Sequence, residues 1–233
     1  MKHALITGGS RRLGLFVTER LLNTGWKVTV MTRHPSDELS RLACERLKIR
    51  RLDYDNFQEI DQLCADLKTR SLDFIFHNAS LFIADPSDTE DAMPLFDQMF
   101  HIHMKLPYIL NAQLESALAK SANGLIIHMS DIYAENPIAS HGLYCSSKAG
   151  LESLSKTFAK KFAPNIRVNT IQPGALKFLP THDQASRHAI LKDSLLGFEG
   201  GFEPVFQTIE YLLENTFITG TSLKVDGGRA LCR

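Results

Sequence analysis

Short apolar runs alternate with amphipathic stretches along the whole chain. Runs such as Ala4-Leu5-Ile6-Thr7, Lys27-Val28-Thr29-Val30-Met31 and Leu125-Ile126-Ile127-His128-Met129 read as short buried strands. Segments with helical spacing lie between them, as in Leu15-Phe16-Val17 followed by Leu21-Leu22. The pattern predicts strands near 3–7, 27–31, 49–52, 73–77, 124–129, 167–172 and 222–225. It predicts helices near 12–25, 37–46, 56–69, 91–120, 142–163 and 203–214. Such alternation implies an α/β fold: a doubly wound parallel sheet with helices on both faces, expected to be one domain over residues 1–233. The least regular stretch, about 175–202, holds Pro180, Gly197, Gly200 and Gly201, and is expected to be a mobile lid over a substrate site.

Composition narrows the class. With 233 residues and 44% hydrophobic content, the chain can bury one sizeable core. A formal net charge of zero provides no bulk attraction to nucleic acid or to an anionic membrane surface, and neither partner is expected. Cys44, Cys64, Cys145 and Cys232 show no paired C-x-x-C spacing, so neither a zinc site nor a disulfide framework is expected. The first strand starts within a few residues of Met1 and no apolar run is long enough to span a bilayer, so a cytoplasmic enzyme is expected.

Two constellations carry candidate chemistry. Gly8-Gly9-Ser10-Arg11-Arg12-Leu13-Gly14 lies between the first strand and the first helix, the context of a dinucleotide turn. Glycine permits close approach of a pyrophosphate to the helix N-terminus. After the second strand, NAD sites commonly place an acidic residue; here stand Thr32-Arg33-His34, which suit a 2′-phosphate and favour NADPH, with Arg11 assisting. The second constellation is Tyr144 and Lys148, four residues apart and so on one helix face, with Asp131 thirteen residues before Tyr144 at the end of a strand. An ammonium beside a phenol is expected to draw the tyrosine pKa down from about 10 toward working pH. His101, His103 and His128 look like a possible cluster; because they fall on different elements, buried hydrogen-bonded histidines are favoured over a metal site.

These residues resemble the short-chain dehydrogenase/reductase family over nearly the whole chain, which implies a Rossmann-type sheet. The family's glycine loop matches Thr7-Gly8-Gly9-Ser10-Arg11-Arg12-Leu13-Gly14, and its Asn-Asn-Ala-Gly segment matches His77-Asn78-Ala79-Ser80. Pro173-Gly174 and Asp226-Gly227-Gly228 match later strand ends, and Asp53 matches the acidic residue near the adenine. The resemblance implies cofactor contacts from Gly8, Ser10, Arg11, Arg12, Leu13, Gly14, Thr32, Arg33, His34, Asp53, Asn78, Ala79, Ser80, Lys148, Pro173 and Gly174. Four positions depart from the family pattern. Arg12 replaces a loop glycine, Ser80 replaces the last glycine of its segment, Asp131 stands at the catalytic serine and His103 at the catalytic asparagine.

The first three departures resemble the pteridine reductase branch. That likeness implies a pterin contacted by Arg12 and Ser80, stacked on Phe82, and served by Asp131 and Tyr144. The implied reaction is reduction of a 7,8-dihydropterin, dihydromonapterin first, with dihydrobiopterin and dihydrofolate as further candidates. Hydride passes from NADPH to C6 and a proton reaches N5, with Lys148 holding the nicotinamide ribose. Tyr133 is a candidate for the pocket wall. The family likeness also implies a homotetramer. Two other readings stand: a carbonyl reductase acting on a 3-oxoacyl thioester or small ketone, and a catalytically silent NADP-binding regulator.

Overall fold

A computed structural model describes residues 1–179 and 181–232. Its seven strands form a single parallel sheet in the order β3-β2-β1-β4-β5-β6-β7. They are β1 (His3–Thr7), β2 (Lys27–Thr32), β3 (Leu47–Arg51), β4 (Phe74–His77), β5 (Gly124–Met129), β6 (Ile166–Pro173) and β7 (Ser222–Val225). The predicted strands all exist, with ends shifted by at most two residues. The helices are α1 (Arg12–Asn23), α2 (Asp37–Arg41), α3 (Phe57–Lys68), α4 (Thr89–Phe100), α5 (Leu106–Leu118), α6 (Gly142–Phe162), α7 (Gln184–Lys192) and α8 (Glu203–Glu214).

Side-chain alternation along the central strands builds the two faces. Leu5, Ile75 and Ile126 point to the side covered by α3, α5 and α6, among Leu63, Leu110, Leu114 and Phe158. Their neighbours Ile6, Phe74, Phe76 and Ile127 point the other way, against Val17, Leu21, Phe206 and Ile209 of α1 and α8. Both sides of the sheet are therefore dry, as the continuous apolar strand runs require. Strand order reverses between β1 and β4, and the crevice at their carboxyl ends is where such sheets bind ligands. No helix of the described residues is long and apolar enough to cross a membrane.

Three helix expectations change. The stretch predicted as a helix over 37–46 stops at Arg41, because within it only Leu39 is buried and nothing anchors a longer turn. The long helix expected over 91–120 is interrupted by a π turn at His101–Lys105. Pro107 explains it: proline has no N–H to offer the His103 carbonyl four residues back, and its ring crowds that carbonyl. The expected lid contains a regular element, α7, started by the Asp183 carboxylate accepting from the Ser186 N–H at 2.8 Å. Pro180, also assigned to that stretch, lies outside the described residues.

Candidate active site

The glycine turn is shaped by close approach. Gly8 has φ +67, and a Cβ there would lie 2.8 Å from the Ala79 Cα. The Asn78 amide donates to the Gly8 carbonyl at 3.0 Å, and the Asn78 and Ala79 N–H groups both donate to the Thr7 hydroxyl at 3.1 Å. Thus Asn78 and Ala79 bind the β4 end to the turn. The N-terminus of α1 has no side-chain cap, which leaves its first amides without a side-chain acceptor. Arg12 takes φ +50, the sole positive φ of a non-glycine among the described residues, at the position where the family loop has glycine. Strain of that kind is held only by surrounding contacts. Here the guanidinium donates to the Lys177 carbonyl at 2.7 Å and lies 5.7 Å from the centre of the Phe202 ring. Arg12 therefore ties the glycine turn to the 175–202 stretch.

A cleft of about 640 Å³ runs over this turn, lined by Gly8, Ser10, Arg11, Arg12, Leu13, Gly14, Thr32, Arg33, His34, Asn78, Ala79, Ser80 and Phe82 among others. Within it the Ser10 hydroxyl is already engaged. It donates to the His34 carbonyl and accepts from the Ser36 N–H, both at 2.7 Å, and so staples the turn to the loop after β2. Thr32 likewise donates to the His34 carbonyl at 3.3 Å. Leu13 is 8% exposed and packs into the core, leaving its backbone for the cleft. Arg11, Arg33 and His34 are exposed, and the Arg33 guanidinium lies 5.5 Å from the centre of the Tyr54 ring. Asp53 is exposed on a neighbouring cleft shared with Arg33 and Arg51. An open cradle, uncapped helix amides and cationic rather than acidic groups after β2 fit a dinucleotide carrying a 2′-phosphate.

The second cavity, about 340 Å³, holds Asp131, Tyr133, Tyr144, Phe82, Gly174 and Arg229. Tyr144 donates its hydroxyl to Asp131 Oδ2 at 2.8 Å, and Asp131 Oδ1 accepts from the Tyr133 N–H at 3.0 Å. The spacing read from sequence thus becomes a direct hydrogen bond. Lys148, 2% exposed, donates to the Met129 carbonyl at 2.7 Å.

The electrostatics differ from the expectation. Burial and the adjoining Asp131 carboxylate push the Tyr144 phenol well above its ordinary value, rather than Lys148 drawing it down. Burial moves Lys148 itself down to about 8, opposed by Asp131 and Glu152. The Asp131 carboxyl is raised, with burial outweighing its hydrogen bonds and the Lys148 and Arg229 charges. A carboxyl that retains its proton to higher pH can serve as an acid.

Phe82 is 53% exposed, with its ring 4.3 Å from the His141 ring at 13° and edge-on to Tyr144 at 4.7 Å. Gly174 closes the β6 end: its N–H donates to the Val225 carbonyl at 3.0 Å, and a Cβ would lie 2.9 Å from the Asp226 Cα. The three histidines do not form a cluster. His101 meets the Tyr54 carbonyl, His128 meets Asn111, and His103 meets Ser80 and Ser147, because the π turn and β5 send them to different neighbours. Among the described residues no group of three or more His, Cys, Asp or Glu is placed to hold a metal ion.

Sequence reasoning missed two charged residues. Arg229, 6% exposed, donates to the Ile190 carbonyl at 3.0 Å and to the Tyr133 hydroxyl at 3.4 Å, and meets Asp193 at 3.6 Å. It anchors α7 beside the cavity, and nothing local in Asp226-Gly227-Gly228-Arg229 signals a contact with residue 190. Glu152 accepts from Ser130 and from Gln172, both at 2.6 Å, below Lys148. It was findable, because it continues the Tyr144, Lys148 spacing by one more helical turn.

The chain is similar over most of its length to known proteins. The family model described as short chain dehydrogenase matches residues 2–188. A dihydromonapterin reductase of Enterobacter sp. (strain 638) is 35% identical, with 97% of this chain and 96% of that protein covered. A dihydromonapterin reductase of Escherichia coli O6:K15:H31 is 33% identical over the same shares. Among solved structures, an alternative dihydrofolate reductase of Brucella canis complexed with NADP superposes with a TM-score of 0.89 at 27% identity, covering 99% of this chain and 94% of that one.

Proposed function

The chain belongs to the short-chain dehydrogenase family and is an oxidoreductase, and from that premise we propose that it reduces a 7,8-dihydropterin with NADPH. Dihydromonapterin, named in the relatives, stands first among the substrates, ahead of dihydrobiopterin and dihydrofolate. The observation that carries the reading is the Tyr144–Asp131 hydrogen bond of 2.8 Å beside a cavity large enough for a flat ligand. Reduction of a carbonyl would retain Tyr144 and Lys148 but would not need Arg12 and Asp131 together.

When bound, the cofactor supplies the hydride for C6. The turn from Gly8 to Gly14 would hold its pyrophosphate, Arg33 with Arg11 and Thr32 its 2′-phosphate, Asp53 the adenine side, and Lys148 the nicotinamide ribose. NADP bound to the Brucella canis neighbour supports the phosphorylated form. Phe82 offers an exposed ring for stacking, and Arg12 stands at the junction of the glycine turn and the covering stretch. The proton for N5 would leave Tyr144, and the Asp131 carboxyl, whose protonated form is favoured by burial, would replace it along their shared hydrogen bond. Assembly is read as a homotetramer through α4, α5 and α6 and through the C-terminal strand β7, the helix contact supported by an apolar groove of about 600 Å³ at Phe100, Met104, Tyr108 and Leu154.

The test is NADPH oxidation by purified protein with 7,8-dihydromonapterin, 7,8-dihydrobiopterin and 7,8-dihydrofolate, beside an acetoacetyl thioester. Turnover of a dihydropterin with a silent thioester is the expected result. Thioester turnover with silent pterins moves the function to carbonyl reduction.

A further inference from the structure

The α3 side of the sheet is apolar at its centre, with Leu5, Ile75 and Ile126, and changes character toward the outer strands. On β3, Leu47 and Ile49 pack toward α1 and α8, so Lys48 and Arg50 project under α3. On β2, Val28 and Val30 take the α1 side, so Lys27 and Thr29 also project under α3. Arg70 reaches the same place from the turn after α3. Together they wall a cavity of about 320 Å³. Lys27 and Lys48 stand at the amino ends of their strands, whereas the cofactor cleft lies over the carboxyl ends. Four cations share this cavity with one carboxylate, although the whole chain carries no net charge. That carboxylate, Asp66, is already engaged by the Arg50 guanidinium at 2.7 Å and the Gln62 amide at 3.1 Å. Among the described residues no carboxylate forms an ion pair with Lys27, Lys48 or Arg70.

Unpaired like charges in one cavity raise each other's energy. Lys27 reports it: burial first, then the Arg70 and Lys48 charges, hold its ammonium below the usual range. His3, on the cavity wall, adds no charge of either sign. It is buried beside Thr29, with Nε2 2.9 Å from Thr29 Oγ1, and burial with the Lys27 charge lowers its pKa to about 4. The C-terminus of α3 offsets the excess by about half a charge. An anion seated among the cations removes the repulsion that the protein leaves uncompensated. We infer that this cavity is an anion site for a compact phosphoryl group, separate from the cofactor cleft. The unpaired cations come from β2, from β3 and from the turn after α3, three directions that a single planar carboxylate does not match. A phosphoryl group offers three oxygens and close to two charges, and lysine and arginine are the residues that bind it. The volume, half that of the cofactor cleft, suits inorganic phosphate or a small phosphate ester rather than a dinucleotide.

The test is calorimetric titration of NADP-saturated protein with inorganic phosphate and with ribose 5-phosphate, against sodium chloride at matched ionic strength. Binding of either phosphate at one site beyond the chloride control is expected. Tighter inorganic phosphate names the free ion as occupant, and tighter ribose 5-phosphate names an ester. Backbone amide shifts in NMR should move at Lys27, Lys48 and Arg70 rather than at the Gly8–Gly14 turn. Lys48→Gln and Arg70→Gln should each weaken binding about tenfold, the loss of one charge-assisted contact. Asp66→Asn should tighten binding, because it removes the one competing carboxylate. Stability supplies a sign that a structural role for these cations would not give. In phosphate-free buffer Lys48→Gln should melt at or above wild type, since it relieves repulsion. Added phosphate should raise the wild-type midpoint and leave that of the Lys48→Gln, Arg70→Gln double variant in place. No binding beyond chloride, shifts centred on the glycine turn, or wild-type affinity in the folded double variant overturns the inference. None of these outcomes touches the pterin reading, which rests on the other end of the sheet.

Discussion

The floor of the site and the stretch that covers it hold their ligand-facing groups by opposite means. On the floor, every residue from Gly124 to Ser130 is buried, and Tyr144 and Lys148 on α6 are 4% and 2% exposed. Three polar tips there have short partners within their own layer: Tyr144 with Asp131, Lys148 with the Met129 carbonyl, Ser130 with Glu152. In the covering stretch no described residue between Ala175 and Gly200 is buried. It is held from outside, by Arg12 on the Lys177 carbonyl, by Arg229 on the Ile190 carbonyl and by Ser194 on the Gly227 carbonyl. Burial fixes the floor, while a few hydrogen bonds hold the 175–202 stretch, an arrangement that suits the proposal that this stretch is a substrate lid.

The division predicts that damage to the floor falls on kcat and damage to the 175–202 stretch falls on KM. The largest effect is expected from Tyr144→Phe. Losing the group proposed to give up the proton should cost about 10³-fold in kcat, with little change in the dihydropterin dissociation constant. Comparable loss in KM instead would place Tyr144 in binding and dissolve the contrast.

Asp131→Asn comes next, at about 10²-fold in kcat. It carries a pH signature. The wild-type carboxyl is raised, so the proton it holds is lost as pH climbs through that raised value, and kcat should fall along that limb. The variant should lack the limb. Stability has the same sign: a carboxyl raised on folding contributes most below its unfolded value of about 3.9 and loses that contribution as pH rises through the folded value. Thermal midpoints against pH should therefore be flatter in Asp131→Asn. A limb that survives the substitution assigns the titration to another group.

On the cover, Arg229→Met should release α7. The expected outcome is a KM raised about tenfold, kcat within about threefold of wild type, and faster limited proteolysis between 181 and 200. A large kcat loss would show that the Arg229 charge serves Asp131 more than it serves α7.

The same contrast explains what was legible in the sequence. Strand runs such as Leu125-Ile126-Ile127 are visible because both sheet faces are dry, and Tyr144, Lys148 and Asp131 are visible because helix spacing and a strand end place them without long-range information. The direction of the Tyr144 pKa was not visible: it depends on how much water burial removes, and a contact between Tyr144 and Lys148 does not report that. The π turn was readable in principle from Pro107, but its outcome, His103 turned onto Ser80 and Ser147, needs two other elements to be in place. Arg229 and the anchoring of α7 depend on partners some forty residues away and have no periodic signal.

The smallest effect separates backbone from side chain at the hinge of the two regions. Arg12→Gly and Arg12→Ala both delete the guanidinium and its bond to the Lys177 carbonyl, so both should raise KM alike. They differ in φ. The left-handed backbone at φ +50 is open to glycine and costs alanine about 1 kcal/mol. For a chain of this length, the glycine variant should melt about 2–4 °C above the alanine variant. Equal midpoints would mean that the turn relaxes to negative φ once the guanidinium lets go. The strain would then belong to the grip on residue 177 rather than to the glycine turn, and the cover would be imposing its geometry on the floor of the cofactor cleft.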